Sequence, residues 1–198
     1  MIKVGITGGI GSGKTTFCKE WEKLGVYVLY ADDFAKNLMQ DDEELRGKIK
    51  HAFGEAAYQP DGKLNRSYLA TEAFEKGRVE ELNALVHPVL WKRVEDLAEQ
   101  KAKEGVEIFA KEAAILLNNG RPEHLDYVIL LLSDEEKRTQ RVMKRDNAEK
   151  EQILSRIEKQ PDFESLTHLS DFIVLNDGTL EELKKKADEI LNLIKEID

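Results

Sequence analysis

Apolar and polar positions along this chain follow two rhythms that take turns. Ile2 to Thr7 is a short apolar run that ends in a glycine cluster. From Lys14 to Leu24, the residues Phe17, Trp21 and Leu24 recur at helical spacing, which predicts an amphipathic helix. Gly25 then stops it as a C′ glycine. Val26 to Tyr30 predicts a second strand, and Asp33 to Gln40 a short helix. The stretch from Asp41 to Gln100 reads as mostly helical, with a turn at Gln59-Pro60-Asp61-Gly62. Pro88, in the middle of it, predicts the start of a new helix, because its missing N–H costs nothing in a first turn.

The second half resumes the alternation. Val106 to Ala110 predicts a strand, and the uncharged run Tyr127 to Leu132 suits the middle of a parallel sheet. Asp134 to Arg145 and Ala148 to Gln160 predict charged helices, Phe172 to Leu175 a last strand, and Leu180 to Ile197 a final amphipathic helix. There is no repeat or low-complexity tract. Strand, helix and strand, a long helical insertion, then further strands and helices argue for a parallel α/β sheet covered on both faces.

Composition narrows what such a fold can do. The chain has 198 residues, enough for one domain with a substantial core. Hydrophobic residues make up 41% and charged residues 35%, as in a soluble globular protein. A net charge of −9 argues against a broad nucleic-acid or anionic-membrane face. Any anionic ligand must meet a local cationic pocket. Cys18 is the only cysteine, so no internal disulfide and no Cys-based zinc site is expected; a reducing compartment, the cytoplasm, fits. The first residues are too few and too glycine-rich for a signal peptide. No apolar run approaches the roughly 18 residues of a membrane span.

One segment carries explicit chemistry. Gly8-Gly9-Ile10-Gly11-Ser12-Gly13-Lys14-Thr15 matches G-x-x-x-x-G-K-S/T in full, the phosphate-loop pattern. Glycines let the backbone form a nest of inward N–H groups, and the following helix adds its positive dipole end. Gly8, Gly9, Gly11, Ser12, Gly13, Lys14, Thr15 and Thr16 are therefore the candidate nucleotide-binding residues. Lys14 can bridge the β and γ phosphates, and the Thr15 hydroxyl can ligate Mg²⁺. The apolar strand before and the amphipathic helix after are the context this motif requires.

Binding a nucleoside triphosphate leaves several classes open. A GTPase would show Asp-x-x-Gly and Asn-Lys-x-Asp elements, and the chain contains neither. A non-catalytic ATP-binding regulator would need no acid near the γ-phosphate and no basic lid. A kinase needs both, because phosphoryl transfer relies on positioning and charge neutralisation. Asp32 and Asp33 follow the second strand, and ligands of open parallel sheets bind beyond the carboxyl ends of the strands. Asp32 is thus a candidate base or hydroxyl-orienting group. It is equally a candidate helix N-cap, worth about 1 kcal/mol. Arg138, Arg141 and Arg145 are spaced three and four apart and share one helix face, where a lid over phosphates would sit.

These residues resemble the dephospho-CoA kinase family over nearly the whole chain. The resemblance is carried by GITGGIGSGKTT, Leu24-Gly25, Ala31-Asp32, and Leu82-Asn83-Ala84-Leu85-Val86-His87-Pro88. It continues through Arg141 with Arg145-Asp146, Gln160, Ser170-Asp171 and Asn176-Asp177-Gly178. It implies a P-loop NTPase, kinase-type three-layer α/β/α fold with a five-stranded parallel sheet. The core would comprise residues 1–32, 104–143 and 162–198, with a helical substrate-binding subdomain at 33–103 and a lid at 144–161. The implied reaction transfers the γ-phosphoryl of ATP to the ribose 3′-hydroxyl of dephospho-CoA, with Mg²⁺. Asp32, Lys14 and Arg145 would be catalytic, with Arg141 beside Arg145. Asn176 and Gly178 would lie at the adenine of ATP, and Asp32 and His87 in the acceptor pocket. ATP and dephospho-CoA would be the partners, with no nucleic acid and no membrane. The oligomeric state is open, a monomer being compatible.

The chain departs from the family pattern twice. Where the family has Asp-Ala-Asp after the second strand, this chain has Tyr30-Ala31-Asp32. Where the family has Pro-Leu-Leu-x-Glu after the third, it has Ala114-Ile115-Leu116-Leu117-Asn118. Glu112, close by in sequence, is the candidate substitute for the lost acid. Tyr58, Tyr68 and Trp91 are aromatic candidates for a pocket wall, with core packing the expected role of each.

Overall fold

The computed structural model describes residues 1–197, and two compact units divide the chain: Met1–Tyr30 with Gly105–Asp198, and Ala31–Glu104. The first unit is built on five parallel strands. They are β1 (Ile2–Gly8), β2 (Tyr27–Tyr30), β3 (Ile108–Glu112), β4 (Tyr127–Leu132) and β5 (Phe172–Leu175), in the spatial order β2-β3-β1-β4-β5. β1 is central, paired with β3 from Ile2↔Ile108 to Ile6↔Glu112 and with β4 from Val4↔Tyr127 to Gly8↔Leu131. The β3 register runs to Ile6 and the β4 register to Gly8, so the strand that feeds the glycine loop is held on both sides.

Alternation along the strands sorts side chains to two faces. Val4, Ile6, Val28, Ile108, Ala110, Ile129 and Leu131 join one core cluster with helix α1 (Lys14–Lys23) and the last helix, α8 (Leu180–Ile197). α1 contributes Phe17, Cys18 and Trp21; α8 contributes Leu183, Ala187, Ile190, Leu191 and Ile194. Trp21 Nε1 donates to Ala187 O at 2.9 Å, so the buried indole keeps a partner while joining the two helices. On the opposite face, Val128 packs with Leu117, Leu125, Leu116, Leu166 and Leu169.

β3 starts and ends two residues later than its apolar run predicts. Pairing with β1, and not hydrophobicity, sets its limits, and it carries Lys111 and Glu112 into the sheet. Helices α6 (Glu135–Asp146) and α7 (Lys150–Glu158) follow β4, and Asp134 caps α6 by accepting from Glu136 N and Lys137 N.

The second unit holds α2 (Ala31–Asp41), α3 (Glu43–Phe53), α4 (Arg66–Ala70) and α5 (Val79–Lys103). Its core gathers Leu45, Ile49, Phe53, Ala57, Tyr58, Leu64, Leu69 and Val86. No new helix starts at Pro88: it lies inside α5, a continuous helix of 25 residues. Leu82, Leu85 and Val86 before the proline and Val89 after it pack into the same cluster. Burial on both sides outweighs the hydrogen bond that the proline removes. α2 begins at Ala31, earlier than predicted, which puts Asp32 and Asp33 inside its first turn. Asp32 is therefore not an N-cap; both acids instead stand where the helix dipole favours negative charge. No helix among the described residues is long and apolar enough to cross a membrane.

Candidate nucleotide site

The loop between β1 and α1 is shaped by its glycines and fastened by distant residues. Gly13 has φ 102°, and a Cβ there would collide with Asn176 Nδ2. α1 then begins without a side-chain cap and without an acid in its first turn. Its first N–H groups are thus oriented for an anion. Three long-range hydrogen bonds hold the loop. Asn176 Nδ2 donates to Ser12 O at 2.8 Å, Arg141 Nη1 to Gly11 O at 3.3 Å, and Ile10 N to Gln160 Oε1 at 2.8 Å. Asn176 is buried and also receives Arg141 Nη2 on its carbonyl at 2.8 Å. Arg141 and Asn176 therefore support the loop from behind. Gly178 stands exposed just before α8.

Lys14 reaches back over its own loop, donating to Gly8 O at 2.8 Å and Gly9 O at 3.2 Å. Its Nζ lies 3.9 Å from Glu112 Oε1, with both side chains largely buried. Glu112 ends β3 and pairs in register with Ile6 on one side and Tyr30 on the other. Burial pushes the Tyr30 phenol well above its ordinary value, so at neutral pH it carries no charge. Burial likewise pushes up the Cys18 thiol, helped by Glu112, and this core cysteine is inert.

The three arginines of α6 have separate fates. Arg141 is committed to Gly11, Ser133 and Asn176. Arg145 forms a two-pronged pair with Asp146, at 2.6 and 2.9 Å, on an exposed side chain. Arg138 lies over the loop: a Cβ on Gly9 would be 2.6 Å from its Nη1. Its Nε is buried with no hydrogen-bond partner among the described residues. Sequence spacing put the three on one face but could not say which of them meet the loop. Gln160 and Asn176 were visible only as motif residues, because a bond across 150 or 164 positions leaves no local signal.

In the helical unit, Asp32 is exposed, and Asp33 pairs with Lys36 at 2.8 Å. His87 is mid-helix, not at a helix start, and stacks on Trp91 with ring centroids 5.9 Å apart. Trp91 is 59% exposed, so the expected core role fails for it. Tyr58 and Tyr68 do pack in the core, their hydroxyls donating to Met39 O and Phe53 O.

Comparison with known proteins decides between the classes left open. The dephospho-CoA kinase family model matches residues 2–182. The chain belongs to the dephospho-CoA kinase family. A dephospho-CoA kinase of Salinibacter ruber is 44% identical over 191 residues, covering 96% of each chain. One from Corynebacterium jeikeium is 31% identical, covering 95% of this chain and 97% of that relative. Among solved structures, TT1252 from Thermus thermophilus superposes with a TM-score of 0.80 at 30% identity over 96% of both chains. Dephospho-CoA kinase from Campylobacter jejuni shares the fold, with a TM-score of 0.69 at 22% identity over 97% of this chain and 96% of that one. The family is one of ATP-dependent kinases acting on dephospho-CoA, and membership disfavours a non-catalytic regulator or a kinase for another alcohol.

Proposed function

We propose that the protein transfers the γ-phosphoryl of ATP to the ribose 3′-hydroxyl of dephospho-CoA, releasing CoA and ADP. The observation that carries this is the glycine loop on the central strand, with its uncapped helix and adjacent Lys14, in a chain of this family. Lys14 and the backbone N–H groups from Gly11 to Thr16 bind the ATP phosphates. Asp32 orients the acceptor hydroxyl and takes its proton as the oxygen attacks phosphorus and the bond to the β-phosphate oxygen breaks. Mg²⁺, when bound, neutralises charge on the phosphates. The Thr15 hydroxyl is the hard oxygen donor that suits it.

Arg138 is the guanidinium already over the loop, and Arg145 joins it from the lid, residues 144–161, on leaving Asp146. Arg141 and Asn176 keep the loop in shape beside the adenine end, with Gly178 next to them. Residues 33–103 supply the acceptor side, where the His87–Trp91 stack offers an aromatic surface. The charge balance and single buried cysteine suit a cytoplasmic enzyme of small-molecule substrates.

The test is ADP release from MgATP with dephospho-CoA, nucleosides or nucleoside monophosphates as acceptors. Stimulation by dephospho-CoA alone is expected. Stimulation by a different acceptor, or by none, would overturn the proposal.

A further inference from the structure

The phosphate loop closes a turn on itself, and Ile10 is the second residue of that turn. Ser12 N donates to Gly9 O at 3.1 Å, and Gly11, the third residue, has φ 76°, as a type II turn requires. The turn's own hydrogen bond does not use the Ile10 N–H. That donor goes to Gln160 Oε1 at 2.8 Å, on a residue 150 positions away.

Gly9 beside it is glycine for space and not for conformation. Unlike Gly8, Gly11 and Gly13, it has no positive φ. A Cβ there would lie 2.6 Å from Arg138 Nη1, 3.4 Å from Gln160 Oε1 and 3.5 Å from Phe163 Cδ2. Side chains from α6, from the end of α7 and from the segment after it thus cover this one glycine.

The backbone around Gln160 aims its side chain. Its N–H donates to Ile157 O at 2.9 Å, continuing the last turn of α7. Pro161 follows and restricts the residue before it. Where α7 leaves α6, the joint is Asn147, whose φ of 50° is the only positive value at a non-glycine among the described residues. The ion pair between the two helices, Arg156 with Asp146 at 3.7 Å, uses an exposed arginine and contributes little. At its carboxyl end, α7 is fastened to the loop by Gln160.

We propose that Gln160 is the positioning residue that ties the lid to the phosphate loop, so that a nucleotide that orders the loop also orders α7. Bound phosphates fix the loop N–H groups. The turn that carries the Ile10 N–H then sets where Gln160, and the end of α7 with it, can stand. Such coupling is reciprocal: the ordered lid raises nucleotide affinity by the factor by which nucleotide orders the lid. This rests on the proposed nucleotide-binding role of the loop and on the lid at residues 144–161.

The test is hydrogen exchange of the α7 amides, Lys150–Glu158, with and without saturating ADP, while calorimetry follows ADP binding separately. In wild-type protein, ADP should raise their protection about fivefold or more, the worth of one ordinary hydrogen bond. Gln160→Leu removes the acceptor for the Ile10 N–H. It should still bind ADP, more weakly by the same factor, and lose the ADP-dependent gain in α7. Exchange in β1 and α8 should stay as in wild type. Gln160→Glu, which still offers an acceptor, should keep the gain when ADP is saturating. A gain that survives in Gln160→Leu overturns the proposal, as does a wild-type α7 that does not respond to bound ADP. Equal loss in Gln160→Leu and Gln160→Glu also overturns it, because the contact with Ile10 then does not carry the response. Faster exchange throughout β1 and α8 in Gln160→Leu would mark Gln160 as a support of the fold only, with the same result. Wild-type protein that binds no ADP would instead remove the nucleotide-binding reading beneath it.

Discussion

The two units solve different problems. In the unit of Met1–Tyr30 and Gly105–Asp198, residues far apart in sequence converge on one short loop. Ser12, Gly11 and Ile10 are each tied to partners 130 to 164 positions away. In the unit of Ala31–Glu104, the core is aliphatic and aromatic packing, and the chemical candidates lie on the outside of helices. Asp32 and Trp91 are exposed, and His87 is half-buried. On the proposed function, the donor side is built in advance by a hydrogen-bonded frame, while the acceptor side presents groups from a packed scaffold. A frame of this kind should lose nucleotide affinity or stability when cut. A presented group should lose turnover alone.

Three substitutions test that division. Asp32→Asn should lower kcat by about 10²–10⁴-fold, the range for a positioned proton acceptor, with ADP affinity unchanged by calorimetry. Near-normal turnover would reduce Asp32 to a favourable charge at the start of α2. Arg138→Ala should raise the Kd for ADP and ATP about tenfold, since hydrogen bonds to charged groups contribute about 1.5–3 kcal/mol. Unaltered Kd values would make Arg138 a filler over Gly9. Asn176→Ala should act mostly on stability. It leaves the Ser12 carbonyl without its buried donor, at about 1–3 kcal/mol. For a chain of this size that lowers Tm by several degrees, at about 2–4 °C per kcal/mol. A melting curve that matches wild type would show that the loop holds its shape unaided.

Much of the frame was legible because local chemistry dictates it. The limits of β4, β5 and α8 follow directly from apolar runs and helical spacing. The loop follows from glycine and lysine at fixed intervals. What misled was mostly non-local. Pro88 looks like a helix start until the apolar residues on both sides are seen in one cluster. Val106 looks like strand until β1 imposes its register on β3. The three arginines look equivalent on a helical wheel. They become different only when Asn176 and Gly9 arrive from elsewhere in the chain, and when Arg145 turns to its own neighbour Asp146.

The central place of β1 also has a consequence for how the molecule comes into being. The first strand to be synthesised acquires its two neighbours only with Ile108–Glu112 and Tyr127–Leu132. By then the whole of Ala31–Glu104 has left the ribosome and has its own core to collapse around. At about 5–20 residues per second, Ile2 waits roughly ten seconds for β4. Closing contacts over such separations is also the slow part of folding. The helical unit is therefore able to fold before the sheet is complete. The glycine loop stays unformed until more than half the chain exists, so ATP can reward the finished sheet but cannot guide the nascent one.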